Sequence, residues 1–253
     1  MPVPLATLVE TANAELKLGE VPDYPPALNG LQLANRSGEI TRIAAAVDAC
    51  LPVVKQAAEA GADLLIVHHG MFWSGAQPIV GGYFEKLKLA MDAGLAIYSA
   101  HIPLDVHPTL GNNARLAASL GFETTEPFFD WKGIKLGVKA AVDLGREELL
   151  GKVVDATGAD AHLCPGGPDQ VKSVGIITGG AGGEILALAE TGIDTFITGE
   201  GPHWSYTAAE ELGLNLIYGG HYATETFGVK ALAEWLSGKF DVPWTFIDHP
   251  TGL

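Results

Sequence analysis

The feature that most restricts the fold of this chain is a strand and helix pattern that occurs twice. The first half runs from "ITRIAAAVDA" through "ADLLIVHH" to "LAIYSAH", and the second from "VKSVGIITGG" through "IDTFITGEGPHW" to "LNLIYGGH", with helical segments between the strands. Short apolar strands that alternate with helices indicate a largely parallel or mixed sheet covered by helices on both faces. The sequence therefore predicts an α/β fold.

The two halves also match residue by residue. "GADLLIVHHGMFW" from Gly61 aligns without a gap with "GIDTFITGEGPHW" from Gly192, and the two segments share Gly, Asp, Gly and Trp. "GLAIYSAHIPLD" from Gly94 aligns with "GLNLIYGGHYATE" from Gly213 after one inserted residue. Chance similarity is the alternative, because strands and helices draw on the same residue types everywhere. The return of the whole element order favours an internal duplication.

A duplication predicts two similar α/β half-domains, with mixed sheets flanked by helices, in residues 1–125 and 126–253. The segment "TTEPFFDWKG" would link them, and the N-terminal helix could cross over. Repeats of this kind usually pack face to face, and ligands commonly bind where domains meet. We therefore expect the functional cleft between the two half-domains.

Histidine and carboxylate residues occupy equivalent ends of the predicted strands. They form the pair His68-His69, a His-x3-Asp motif at His101 and Asp105, and a His-x3-Glu motif at His221 and Glu225. Ligands of open α/β sheets bind beyond the carboxyl ends of the strands, and imidazole and carboxylate are the usual ligands of Zn, Mn and Fe. A lone histidine at a strand end is more often structural, but four histidines and two carboxylates suit two ions ~3.5–4 Å apart.

Local geometry can be predicted for each motif. His221 and Glu225 would share one helix face, because residues i and i+4 are neighbours on a helix. Pro103 makes a helix improbable within the His-x3-Asp motif, so a loop is expected there. The adjacent histidines point to opposite sides of a strand unless it ends or bends, and the following Gly70 permits a bend.

Three further features are weaker candidates for a functional role. The Gly-rich segment "TGGAGG" carries Gly179, Gly180 and Gly182, whose backbone amides could hold an anion. A tight turn is the alternative interpretation of this segment. His101 and His203 are candidate proton shuttles, because imidazole titrates near neutral pH. His162 has no partner pattern and is predicted to be a surface residue.

Charge and cysteine content exclude several classes of function. The chain has 30 acidic and 15 basic residues and a formal net charge of −15, so it should repel the phosphate backbone of nucleic acids. The two cysteines do not form the framework of a secreted protein. No signal peptide is visible, and the apolar runs are too short to span a membrane. We therefore expect a cytoplasmic protein with no nucleic-acid or membrane partner.

Four segments together resemble a known family. "NGLQL" (Asn29–Leu33), "LLIVHHGMFW", "SAHIPLDVHPTLGNNARLA" and "YGGHYATETFGVKALAEWL" are similar to the GTP cyclohydrolase I type 2 homologues, also called NGG-one-interacting-factor-like proteins. The chain resembles their compact form, which lacks an inserted domain. The resemblance implies two similar α/β domains, a dinuclear metal site between them and a toroidal homohexamer. It places the metal ligands at His68, His69, Asp105, His221 and Glu225, with His101 beside or within the site.

Two functional hypotheses follow. The first is a metal-dependent hydrolase that holds two divalent ions per chain (Zn, Fe or Mn) and acts through a metal-bound hydroxide. Its substrate would be a nucleotide such as GTP, or another small molecule. The second is a non-catalytic toroid that binds metal or docks a partner through the same residues. A ring that binds DNA is a third hypothesis, which the net charge disfavours.

Overall fold

Thirteen strands and ten α-helices form the structure, a computed structural model that describes residues 1–253. The strands are β1 (Val3–Pro4), β2 (Gly30–Leu33), β3 (Glu39–Ile40), β4 (Ile43–Asp48), β5 (Leu64–His69), β6 (Ala96–Ser99), β7 (Glu126–Trp131), β8 (Ile134–Gly145), β9 (His162–Pro165), β10 (Gln170–Ile176), β11 (Thr195–Thr198), β12 (Asn215–Tyr218) and β13 (Trp244–Phe246). The helices are α1 (Leu5–Glu15), α2 (Leu51–Glu59), α3 (Gly81–Ala93), α4 (Ile102–Asp105), α5 (Asn112–Ser119), α6 (Arg146–Thr157), α7 (Ile185–Ala189), α8 (His203–Leu212), α9 (His221–Thr224) and α10 (Thr226–Phe240). The predicted α/β class is confirmed, every strand quoted in the repeat pattern is present, and a helix lies between each successive pair of them within each half. None of the ten helices has the length and apolar character needed to cross a membrane.

The chain divides into two units by its internal contacts. The first unit is Met1–Leu104 with Gly228–His249, and the second is Asp105–Phe227 with Pro250–Leu253. This division differs from the predicted boundary at residue 125. The C-terminal segment returns to the first unit because β13 pairs in parallel with β4, whereas the N-terminal helix stays in the first unit with its neighbours in sequence.

The first unit contains a five-stranded sheet in the order β13-β4-β5-β6-β2. The four strands from β13 to β6 are parallel, and β2 adds an antiparallel edge. β4 and β5 are buried almost throughout, which explains their continuous apolar runs. Helix α2 buries Val53, Val54 and Ala57 in the same apolar core as Leu65 and Ile97.

The second unit contains a six-stranded sheet in the order β7-β8-β10-β11-β12-β9. Its centre, β10 to β12, is parallel, and the outer strands are antiparallel. The predicted link "TTEPFFDWKG" is instead strand β7 and the turn into β8, so that prediction is wrong. Phe128 of β7 is buried, and a Cβ at Gly137 or Gly175 would lie 2.6 or 2.5 Å from its ring. The segment is thereby packed into the sheet.

The internal duplication is visible in matching backbone contacts. Asp63 Oδ2 accepts hydrogen bonds from two successive amides just before β4, at 2.6 and 3.1 Å. Its counterpart Asp194 Oδ2 accepts them from two successive amides of β10, at 2.7 and 3.1 Å. Gly94 and Gly213, also aligned, both end a helix with positive φ, 67° and 70°, as is common for a glycine in this position. The identical aligned residues therefore have the same structural role in both units.

Candidate metal centre

The strand β5 ends on two histidines whose rings lie close together. His68 is fully buried and His69 is partly buried. Their ring centroids are 4.8 Å apart with planes inclined by 53°. Gly70 follows at once, where a Cβ would overlap the side-chain amide of Gln32. The glycine leaves room for the Gln32 amide, whose Oε1 accepts a hydrogen bond from Met71 N at 2.7 Å.

His101 completes a cluster of three imidazoles in the first unit. It follows β6, and its ring centroid lies 4.9 Å from that of His68 and 5.7 Å from that of His69. One nitrogen from each ring can be chosen so that all three lie within 4.8 Å of one another. The Trp73 indole packs edge-on against His101 at 4.6 Å and His69 at 5.7 Å. Three imidazoles in such a group can hold a divalent ion.

Each of the three imidazoles directs its Nδ1 at a protein acceptor. The contacts are His68 Nδ1 to Ala100 O at 2.9 Å, His69 Nδ1 to Asp48 Oδ1 at 2.9 Å, and His101 Nδ1 to Asp23 Oδ1 at 2.8 Å. An acceptor at this position places the proton on Nδ1 and the lone pair on Nε2. Metal-bound histidines are usually oriented in this way. The donor set of the first unit therefore fits a divalent metal ion.

The protein groups that accept from the imidazole Nδ1 atoms are called the outer acceptors, and Asp23 is the most firmly held of them. Its Oδ2 accepts hydrogen bonds from Asn29 Nδ2 at 2.7 Å and from Ile102 N at 3.0 Å. Asn29 Oδ1 in turn accepts from His101 N at 2.8 Å. Burial alone would raise the pKa of Asp23, but the hydrogen bond and charge of His101, with the other donors, lower it, because they favour the charged form. The carboxylate thus stays ionised beside the imidazole.

His221 and Glu225 form the equivalent group in the second unit. His221 Nε2 lies 3.2 Å from Glu225 Oε2, so the predicted i, i+4 contact is present, although Glu225 directly follows α9 and is not within a helix. His221 Nδ1 lies 2.8 Å from Glu200 Oε1. Burial would lower the pKa of His221, but the hydrogen bonds and charges of Glu225 and Glu200 raise it to about 9. Two carboxylates around one imidazole create a negative field that favours a cation.

Asp105 lies at the end of α4 and is buried. The loop predicted from Pro103 is wrong, because the proline occupies the first turn of this helix, where an amide proton is not needed. Asp105 Oδ1 accepts a hydrogen bond from Asn112 Nδ2 at 2.8 Å and lies 3.4 Å from Thr178 Oγ1. These contacts fix the orientation of the carboxylate.

The Gly-rich loop packs against His221 and Glu225. Gly179 has a φ of 70°, and a Cβ there would overlap Glu225 Oε1. A Cβ at Gly180 would lie 3.5 Å from His221 Cε1. The amides of Gly179 and Gly182 donate to protein oxygens at 3.1 and 3.0 Å. The loop therefore supports the carboxylate and imidazole, and two of the three predicted anion-binding amides are used inside the protein.

The two candidate proton shuttles have different surroundings. His101 belongs to the imidazole cluster of the first unit. His203 is the first residue of α8, is exposed, and borders a cavity together with His162, Tyr206 and Tyr218. His203 is thus available for contact with a bound molecule in the second unit.

Sequence reasoning missed the outer carboxylates Asp23, Asp48 and Glu200. Asp48 ends β4 and Glu200 follows β11 closely. Both therefore lie at carboxyl ends of strands, and the rule that located the histidines could have found them. Asp23 lies in a coil before a 3-10 turn, where no local pattern points to a role.

These features define a class: duplicated α/β proteins whose strand ends carry histidine and carboxylate residues able to bind a metal ion. The chain belongs to the Duf34/NIF3 (NGG1p interacting factor 3) family, whose model matches residues 9–251. The family resemblance stated from the sequence motifs is thereby confirmed.

Several relatives are similar over nearly the whole chain. A protein of Deinococcus radiodurans named GTP cyclohydrolase 1 type 2 homolog is 42% identical over 248 residues, covering 97% of this chain and 93% of its own length. A protein of the same name from Pyrococcus abyssi is 39% identical, covering 97% and 98%. The crystal structure of TTHA1606 from Thermus thermophilus matches with a TM-score of 0.89 at 38% identity, covering 99% of this chain and 100% of that one.

Proposed function

We propose that the chain is a dinuclear metal-dependent hydrolase that acts on a nucleotide or another small molecule. The proposed ligands of two divalent ions (Zn, Fe or Mn) are His68, His69, Asp105, His221 and Glu225. His101 joins them as a third imidazole of the first unit. One observation carries the proposal: each of the four histidines directs Nδ1 at a carbonyl or carboxylate oxygen within 2.8 to 2.9 Å.

This pattern favours metal binding over a purely structural role. A structural histidine needs acceptors or donors for whichever nitrogens are buried, with no common arrangement. Here all four rings direct the same nitrogen, Nδ1, at a protein oxygen, and three of the four acceptors are carboxylates. A carboxylate behind an imidazole raises its basicity and fixes its orientation as a ligand.

Bound divalent ions would supply Lewis acidity and lower the pKa of a water molecule to near neutrality. The protein's own residues have complementary tasks. Asp105 and Glu225 contribute negative charge that offsets the charge of the ions. Trp73 covers one side of His69 and His101 and restricts access of water to them. His203, exposed beside a cavity, is the proposed proton shuttle.

The substrate is proposed from the relatives and from charge. The similar proteins are named GTP cyclohydrolase 1 type 2 homolog, and opening the imidazole ring of GTP is a hydrolytic step that suits a metal-activated water. A chain of net charge −15 repels an anionic nucleotide. Bound cations would offset that repulsion.

The decisive experiment compares metal content and hydrolysis in four proteins: wild type, His68→Ala, Glu225→Ala and His203→Ala. We expect about two ions per chain in the wild type and a large loss in the first two variants. His203→Ala should keep its ions and lose about 10²- to 10⁴-fold in turnover of GTP or another screened substrate. Normal turnover by Glu225→Ala would refute the mechanism.

A non-catalytic metal-binding or partner-docking protein is the second candidate. It is favoured by exposed apolar side chains near the start of α3, where Ile79, Val80 and Phe84 are 58%, 68% and 45% accessible. Such a surface suits contact with other chains. Metal content that responds to Glu225→Ala, with no turnover across a substrate screen, would support this second function.

We propose a homo-oligomer for either function, and the family resemblance implies a hexamer. A cytoplasmic location is part of the proposal and is supported by the two cysteines, which do not form a secreted framework. The acidic composition disfavours nucleic-acid and anionic membrane partners. Light scattering on the purified chain would give the number of subunits. Replacing Val80 by Glu should shift that number if the apolar surface is an interface.

A further inference from the structure

A cavity of about 360 Å³ lies in the second unit and is lined largely by rings. Its walls are formed by His162, Gly201, Pro202, His203, Tyr206 and Tyr218. Its volume is within the range of small-molecule sites in proteins. Neither a lysine, an arginine nor a carboxylate lines it, so its chemistry differs from that of the metal ligands.

The aromatic walls are arranged for stacking. His162 of β9 and Tyr218 of β12 are direct partners across an antiparallel strand pair. Their planes are inclined by only 15° with centroids 6.5 Å apart, and the Tyr206 ring centroid lies 5.6 Å from that of His162. The hydroxyl of Tyr218 is held by Ser205 Oγ at 2.5 Å. The rings are thereby fixed before a ligand arrives, which reduces the entropic cost of binding.

The lining selects a planar ring and disfavours a phosphate. Aromatic faces strengthen the binding of a nucleobase by stacking on it, and every base offers such a face. The imidazole of His203 and the tyrosine hydroxyls can hydrogen-bond the edge of a heterocycle. A phosphate group would find no lysine or arginine side chain in this cavity.

Two of the cavity-lining residues lie close in sequence to the residues around the proposed ligand His221. Tyr218 ends β12 three residues before His221. Gly201 directly follows Glu200, whose Oε1 lies 2.8 Å from His221 Nδ1. A molecule stacked in the cavity is therefore held by the same two chain segments that orient the proposed ligand His221.

We propose that this cavity binds the planar heteroaromatic ring of the substrate, with Tyr206, Tyr218 and His162 as the stacking residues. The role of the ring in turnover rests on the proposed hydrolase function, whereas binding of the ring does not. The ring, and not its phosphate groups, accounts for most of the affinity at this cavity.

The test measures binding by calorimetry with three probes on the full chain: guanosine, ribose 5-phosphate and GTP. Guanosine should bind within a few-fold of GTP, and ribose 5-phosphate should not bind detectably. Tyr206→Leu should weaken guanosine binding about 10- to 100-fold. Trp131→Leu, which changes a partly exposed aromatic residue of β7 outside the cavity, is the control and should bind guanosine like the wild type.

His162→Ala is the second variant, on a different strand, in case Tyr206→Leu fails to fold. Unchanged guanosine affinity in a folded form of either variant would overturn the inference, as would equal binding of ribose 5-phosphate. Both variants should keep the wild-type metal content. The two proposals can fail separately. If Tyr206→Leu loses guanosine binding but the wild type turns over no substrate, the cavity proposal is supported and the hydrolase proposal fails. Turnover with an unchanged KM in Tyr206→Leu would refute the cavity and leave the hydrolase standing.

Discussion

Asp23→Asn tests the network that orients His101 without changing the size of the side chain. In the wild type, Asp23 Oδ1 accepts hydrogen bonds from Tyr24 N at 2.6 Å and His101 Nδ1 at 2.8 Å. Oδ2 accepts from Asn29 Nδ2 at 2.7 Å and Ile102 N at 3.0 Å. Asparagine offers one oxygen, so its NH2 group would face two of these four donors.

The expected loss follows from those two donors. A buried donor without an acceptor costs about 1–3 kcal/mol, so the free energy of unfolding should fall by about 3 kcal/mol. This is a large part of the total of about 5–15 kcal/mol that is usual for a folded domain. At about 2–4 °C per kcal/mol for a protein of this size, the melting temperature should fall by about 6–12 °C. Metal affinity should fall about 10- to 100-fold, because an outer partner of an imidazole ligand is lost.

The assay is thermal unfolding by circular dichroism on chelator-treated protein, followed by titration with Zn or Mn. Asp48→Asn is the matched control. Asp48 also contacts an imidazole Nδ1, that of His69, but its side chain is 31% exposed compared with 8% for Asp23. Water can replace the lost contact, so its stability should change by less than about 1 kcal/mol, while metal affinity still falls. Equal melting temperatures for Asp23→Asn and wild type would refute the reasoning.

Other changes test the packing within each unit. Gly70→Ala would displace the Gln32 amide, whose Oε1 accepts a hydrogen bond from Met71 N, and should cost about 0.5–1.5 kcal/mol. Gly151→Ala, with open space inside α6, should instead add about 0.5–1 kcal/mol; urea midpoints measure both. Burial raises the pKa of the Tyr98 hydroxyl, which donates to Asn13 Oδ1 at 3.1 Å. Because the folded pKa exceeds the unfolded one, this contribution to stability is complete below about pH 10 and declines above it. Tyr98→Phe should lose about 0.5–1.5 kcal/mol of the free energy of unfolding at neutral pH. Its free energy of unfolding should also decline less than that of the wild type as the pH rises past the tyrosine pKa of about 10. An identical pH profile for the two proteins would contradict this prediction.

The elements of the repeat could be predicted because their signals are local. β5 and β11 are short apolar runs between glycine-containing turns, and the helices after them end at Gly94 and Gly213 with positive φ. Such glycines mark helix ends in the sequence as well as in the structure. Periodicity and stop signals therefore located most of the parallel strands and their helices.

The elements that were missed depend on contacts far apart in sequence. β13 pairs with β4, so Trp244 is opposite Ile43, and no local pattern announces that partner. The β7–β8 hairpin contains charged and turn residues that resemble a connecting segment. Its identity as part of the sheet depends on Phe128 packing where Gly137 and Gly175 leave room. A single sequence lists the residues that form each contact, but it does not show which of them pair.

The proposed ligands were predictable because metal-binding residue types occur in them at the ends of predicted strands. Histidine is uncommon in buried strands, and strand ends in α/β sheets are where ligands bind. The outer carboxylate Asp23 could not be found in this way, because it reaches His101 from a coil 78 residues earlier. The error at Pro103 has a different cause: proline interrupts a helix interior but is favoured in a first turn.

The repeat alignment shows how the duplicated scaffold acquired different chemistry in each unit. His101 and His221 are aligned, and both direct Nδ1 at a carboxylate, that of Asp23 or Glu200, at 2.8 Å. Glu200, however, is aligned with His69. One strand-end position thus carries an imidazole in the first unit and the carboxylate that orients an imidazole in the second. Imidazoles accordingly concentrate in the first unit and carboxylates around His221 in the second, which gives the proposed ligand set both the affinity of imidazole and the charge needed to offset divalent ions.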